Sequence, residues 1–104
     1  MHDEANLTPA QVRDRDPGTQ LVDVRQPWEF DRSHLPGATL IPLATLPLRL
    51  SELDPSRPVV LYCHHGARSY QALRFLVQAG FTQVAHLAGG IAAYSQMDPT
   101  IPQY

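Results

Sequence analysis

The sequence contains no lysine: all eight of its basic residues are arginine. Schiff-base chemistry and lysine general bases are therefore excluded. Cysteine is almost as scarce. One residue, Cys63, excludes an intramolecular disulfide and any cysteine-rich zinc site. Long apolar runs are missing as well. The longest, Val59-Val60-Leu61-Tyr62-Cys63, falls far short of the ~20 residues that span a bilayer. The opening Met1-His2-Asp3-Glu4 carries acids where a secretory signal would carry basic charge. Net charge is −2, which argues against a nucleic-acid binder relying on a basic surface. Neither nucleic acid nor a membrane is expected as a partner. The 104 residues fit a single domain, 1–104, of a small soluble cytoplasmic protein.

Acidic residues are unevenly placed. Nine of the ten lie at or before Asp54, the other is Asp98, and none falls between Pro55 and Met97. Arg57, Arg68 and Arg74 occupy that stretch. One reading is an anion-attracting half built around Cys63; the other is chance in a small sample.

Along the chain, Thr8-Pro9 has the pattern of an N-cap followed by proline at the first helical position, opening a short helix to about Arg15. Asp16-Pro17-Gly18 breaks it. Leu21 to Val24 reads as a buried strand, Pro27 to Arg32 as one or two helical turns, and Thr39 to Ile41 as a short strand. The spacing predicts a helix over Ala44 to Glu52, irregular because of Pro47. Val59 to Tyr62 is a continuous β-branched run of the kind covered on both faces. Ser69 to Ala79 carries Ala72, Leu73, Leu76 and Val77 at helical spacing, with Gly80 as its stop. Val84 to Leu87 reads as a further strand, and Gly89-Gly90 turns into a last helix, Ile91 to Gln96. Strands alternating with helices predict an α/β domain with a mainly parallel sheet. Ligands of such sheets bind beyond the carboxyl ends of the strands.

The loop after Tyr62 is such a place. Cys63-His64-His65-Gly66-Ala67-Arg68-Ser69 joins a strand to a helix, so the first unpaired amides of that helix point towards the cysteine. Those amides and the positive end of the helix dipole favour a thiolate. Gly66 lets the backbone curl, and Arg68 adds fixed positive charge. A lone cysteine after Val-Val-Leu-Tyr also reads as an inert core residue, but the polar residues that follow suit no buried strand. His64 and His65 are adjacent and so are expected to face different ways, which is poor spacing for a metal.

Taken together, Asp23-Val24-Arg25, Glu29-Phe30, His34-Leu35-Pro36-Gly37-Ala38, Val59 to Ser69, Gly80-Phe81 and Leu87-Ala88-Gly89-Gly90-Ile91 make the chain resemble single-domain rhodanese-like sulfurtransferases over essentially its whole length. The Cys63–Ser69 loop and the ending Asp98 to Tyr104 resemble a bacterial subgroup of stand-alone rhodanese domains. Tyr94 departs from the tryptophan usual in the family after the double glycine, at a packing position. The resemblance implies a rhodanese-like fold, with a central sheet of about five short strands and helices on both faces. It also implies an enzyme of thiosulfate sulfurtransferase type, acting in sulfur metabolism through a Cys63 persulfide. Small anionic sulfur donors and thiol or cyanide acceptors are the implied partners, with no metal and no cofactor. Phosphatases of the cell-cycle dual-specificity type share the fold, but they resemble C-x5-R. Cys63 to Arg68 is C-x4-R, a tighter ring suited to one sulfur atom.

Within this reading His64, His65, Gly66, Ala67, Arg68 and Ser69 form the substrate-binding cradle, Arg68 attracts the donor's anionic group, and Ser69 also caps the helix. Asp23 and Arg25 are candidates for the rim, together with Glu29, although an ion pair between Arg25 and Glu29 is the expected arrangement. His34 is expected to hold the Pro36-Gly37 turn. Trp28 is left open between core and partner surface. A persulfide carrier or regulatory module, and a small-anion phosphatase or arsenate-handling enzyme, remain as alternatives.

Overall fold

The central strand of the molecule is also its most apolar segment. Val59–Tyr62 is buried at every position, because parallel neighbours flank it and helices cover both faces. In the computed structural model, which describes residues 5–104, it is the fourth of five strands. These are β1 (Asn6–Leu7), β2 (Gln20–Asp23), β3 (Thr39–Leu40), β4 (Val59–Tyr62) and β5 (Val84–Leu87), in the order β1-β5-β4-β2-β3. Every pairing is parallel. The acidic start Met1 to Glu4 lies outside the described residues.

Among the described residues four α-helices accompany the sheet: α1 (Pro9–Arg13), α2 (Pro27–Arg32), α3 (Ala67–Gln78) and α4 (Gly90–Met97). Alternation along β4 sends Val59 and Leu61 to one face, where they join Cys63 and the Ala72, Leu73 and Leu76 stripe of α3. Val60 and Tyr62 go to the other, against Val12 of α1 and Ile91 and Tyr94 of α4. Each such buried apolar side chain contributes about 1.5–3 kcal/mol relative to exposure.

Local signals act largely as the sequence suggests. Thr8 and Gln11 form a reciprocal capping box at α1. Gly80, at φ +101°, ends α3 in a Schellman motif, its N–H donating to Val77 O while that of Phe81 donates to Leu76 O. One expectation needs correction, and one strand was missed. The helix expected over Ala44 to Glu52 is instead a pair of 3-10 segments, Leu43–Leu48 and Leu50–Glu52. Pro47 lies inside the first, where it lacks the N–H and the clearance an α-helix needs. The edge strand β1 was not anticipated, because two residues are too few to show a period.

The strand order fixes where chemistry can occur. From β2 the chain moves to β3 on one side, and from β4 to β5 on the other, so the carboxyl ends of β2 and β4 flank a crevice. Asp23 and Cys63 lie at those two ends. No helix among the described residues is long and apolar enough to cross a membrane.

Candidate active site

Between the end of β4 and the start of α3 the backbone reverses tightly. Gly66 is the helix N-cap at φ +118°, a conformation open to glycine and strained for other residues. The turn brings Cys63 Sγ 3.0 Å from the Gly66 N–H and 3.4 Å from the Ser69 N–H, both of which donate to sulfur. Cys63 is only 1% exposed, so the sulfur is the floor of the loop. Backbone donors at a helix N-terminus favour negative charge at that point.

Helix α4 holds the loop from the other side. The Ile91 N–H donates to Cys63 O at 2.9 Å, and the Ala92 N–H to His64 O at 3.1 Å. Gly90 makes this approach possible: at φ +65°, a Cβ there would stand 2.2 Å from His64 O and 2.5 Å from Cys63 O. The double glycine thus serves as close-packing geometry for the loop.

Arg68 points across to α2. Its Nη1 donates to Glu29 Oε1 at 2.7 Å and its Nη2 to Oε2 at 3.0 Å. The Glu29 carboxyl is almost wholly buried, and the Arg68 guanidinium holds its pKa down at about 2, with the Gln26 N–H assisting. The charge expected to face a donor is therefore already engaged by a carboxylate. Ser69 is not a cap. Because α3 starts at Ala67, Ser69 sits in the third helical position, its Oγ 3.6 Å from Cys63 Sγ, with two acceptors in reach of its one proton: His86 Nδ1 at 2.8 Å and, more distant, Gly66 O at 3.1 Å.

The rim expectation for Asp23 and Arg25 is also corrected. Both are fully buried, and Arg25 Nη2 donates to Asp23 Oδ2 at 2.8 Å and to the carbonyl of Ser33. The expected pair of Arg25 with Glu29 does not form. One-turn spacing presumes a shared helix, but α2 begins only at Pro27. His34 holds the end of α2 rather than the following turn, its Nδ1 lying 2.9 Å from Phe30 O.

His64 and His65 do not diverge. Their ring centroids are 3.9 Å apart, because the alternation of a strand does not extend into the loop. Tyr104 lies 4.2 Å from the His64 ring and stacks on exposed Trp28 at 6.2 Å. Burial, aided by neighbouring His65, pushes the pKa of His64 down, and its Nε2 is buried without a hydrogen-bond partner. Among the described residues no three His, Cys, Asp or Glu side chains converge as a metal site would require. A cavity of about 920 Å³ runs along β5 and α3 and is lined by no residue of Cys63–Ser69.

Two residues that sequence reasoning passed over complete the site. His86 of β5 places Nδ1 2.8 Å from Ser69 Oγ, and its Nε2 lies 2.9 Å from Asn6 Oδ1 of β1. The available signal was a histidine inside an otherwise apolar strand, which must find polar partners when buried.

Comparison with known proteins agrees with this geometry. The model of the rhodanese-like domain family matches residues 8–97. A protein named sulfurtransferase from Allochromatium vinosum is 45% identical over 76 residues, which span 73% of this chain and 71% of that protein. The probable adenylyltransferase/sulfurtransferase MoeZ of Mycobacterium tuberculosis is 42% identical over 106 residues, covering 96% of this chain but 27% of that protein. A rhodanese-related protein from Thermoplasma volcanium superposes with a TM-score of 0.84 at 23% identity, over 95% of this chain and 98% of that one, a likeness of fold.

Proposed function

The chain belongs to the rhodanese-like domain family, and from that premise we propose that it is a sulfurtransferase whose nucleophile is Cys63. The observation that carries the reading is the pair of backbone N–H groups, from Gly66 and Ser69, aimed at Cys63 Sγ. The thiolate attacks the outer sulfur of thiosulfate or a similar donor, a new S–S bond forms, the donor's S–S bond breaks and sulfite leaves with its electron pair. The resulting Cys63 persulfide is anionic and remains within reach of the same N–H groups. A thiol in the cell, or cyanide in an assay, then takes the terminal sulfur. Neither metal nor organic cofactor is required by these steps.

In this reading His64, His65, Gly66, Ala67, Arg68 and Ser69 enclose the transferred atom. His64 Nε2 lacks a partner in the fold but is buried, so it meets the donor's sulfonate only if the ring turns outward. Arg68 contributes chiefly by tying the loop to α2 through Glu29. The short C-x4-R ring supports sulfur over a tetrahedral phosphate. Mass spectrometry after thiosulfate treatment tests the proposal. The expected product is an adduct of about +32 Da, one sulfur, on Cys63, absent from Cys63→Ser. A folded wild-type protein that gains no such adduct and transfers no sulfur would overturn it.

A further inference from the structure

His86 is buried in the sheet, yet it is not packed as an apolar residue would be. Both of its ring nitrogens are engaged, on opposite sides. Register pairs it with Asn6, whose amide oxygen accepts from Nε2 at 2.9 Å. A hydrogen on Nε2 leaves Nδ1 as the base, 2.8 Å from Ser69 Oγ. Ser69 in turn lies 3.6 Å from Cys63 Sγ, the atom that reacts. Cys63, Ser69, His86 and Asn6 thus form one chain of hydrogen bonds drawn from four segments of the molecule, buried except at half-buried Asn6.

We propose that His86 is a positioning residue for the nucleophile, sharing one proton with Cys63 through the Ser69 hydroxyl. The step balances simply. The Cys63 S–H bond breaks as its proton passes to Ser69 Oγ, the hydroxyl's own proton passes to His86 Nδ1, and the electron pair stays on sulfur. Ser69 then donates to the thiolate, the imidazolium donates to Ser69, and Asn6 keeps the ring oriented. Nothing is oxidised or reduced. During transfer the imidazolium balances the charge of the persulfide without contacting the donor.

The geometry, not the burial, favours this use of the ring. Burial pushes the pKa of His86 below the ordinary histidine value, with no charged side chain contributing, so the ring starts neutral and the imidazolium depends on the thiolate charge beside it. The titratable groups facing it are Tyr70 of α3, with ring centroids 5.9 Å apart, and Cys63 through Ser69. From β1 it meets only the neutral amide of Asn6. A neutral base coupled to a thiol by one hydroxyl is a pair whose protons come off jointly.

The inference rests on Cys63 being the nucleophile, and its test separates the two claims. The rate of Cys63 alkylation by iodoacetamide is followed against pH in wild type, His86→Gln and Asn6→Asp. Without the imidazole the midpoint should move up by about one pH unit, giving roughly tenfold slower alkylation below both midpoints. A carboxylate at position 6 stabilises the imidazolium and should move the midpoint down. Imidazole nitrogen NMR on the unmutated chain guards against misfolding of the variants: blocking Cys63 with a small methylthio group should lower the titration midpoint of His86. If the wild-type protein still gains persulfide but its His86 titration ignores the block, or if folded His86→Gln alkylates as wild type does, the shared proton is overturned and the sulfurtransferase reading stands. Absence of persulfide on the wild-type protein overturns that reading instead.

Discussion

Arg68 shows how one side chain can be assigned the right neighbourhood and the wrong partner. Its place beside Cys63 suggested a contact for an anionic donor, but both of its terminal nitrogens are held by Glu29. Removing it strands a nearly buried carboxylate, and that cost outweighs loss of surface charge. Arg68→Ala should therefore lower the free energy of unfolding by about 1–3 kcal/mol and reduce sulfur transfer through a loosened loop. Arg68→Lys should recover little, because an ammonium cannot reproduce the two-pronged fit. Urea unfolding and thiosulfate kinetics on the same preparations check this. Unchanged stability with only a raised KM would return Arg68 to the role of a donor contact.

At the scale of elements, the active loop is shaped by a helix that follows it in sequence by more than twenty residues. The α4 amides take the carbonyls of Cys63 and His64, and Gly90 is the point of closest approach. Gly90→Ala places a methyl group inside contact distance of two backbone oxygens in a left-handed conformation. The expected result is loss of sulfur transfer with the sheet retained, at a cost of about 1–3 kcal/mol. Gly80→Ala is the control. Its φ is also positive but nothing lies within 4 Å, so it should cost about 1 kcal/mol and leave activity intact. Equal activity in the two variants would mean that α4 does not shape the loop. Circular dichroism, denaturation and turnover together distinguish the cases.

For the molecule as a whole, acid should act in two stages. His64 and His86 have lowered pKa values in the fold, so protonation favours the unfolded chain once pH falls below the ordinary 6.5. Glu29 has the complementary sign. Its contribution is complete above its ordinary 4.5 and is lost as pH falls to about 2, through protonation of a carboxylate that Arg68 stabilises. With Arg68 partly screened by solvent, that second loss should be of order 2 kcal/mol. Glu29→Gln should flatten the stability profile in the second window and slightly deepen the first, because the Glu29 charge holds the His64 pKa up, as urea midpoints across the range would show. A profile insensitive to Glu29→Gln would mean that the ion pair does not link α2 to the loop energetically.

The features legible in the sequence were those decided within a turn or a strand. The run Val59 to Tyr62, the capping pattern at Thr8, the stop at Gly80 and the polar loop from Cys63 to Ser69 depend on backbone geometry and nearest neighbours, and they stand in the structure where the residues imply. The alternation of strands and helices carried the parallel sheet as well, because parallel strands require crossovers. Only the tertiary structure decided the partners of the charged and polar side chains. Glu29 meets Arg68 across 39 positions, and His86 meets Asn6 across 80, distances over which local pattern carries no information. The sequence separates most acids from Arg57, Arg68 and Arg74, but the fold pairs Arg68 with Glu29 and engages Arg57 with the carbonyl of Gly18. Burial forces these choices: a desolvated charge or imidazole must take whatever partner packing brings within reach, and packing is a property of the whole chain.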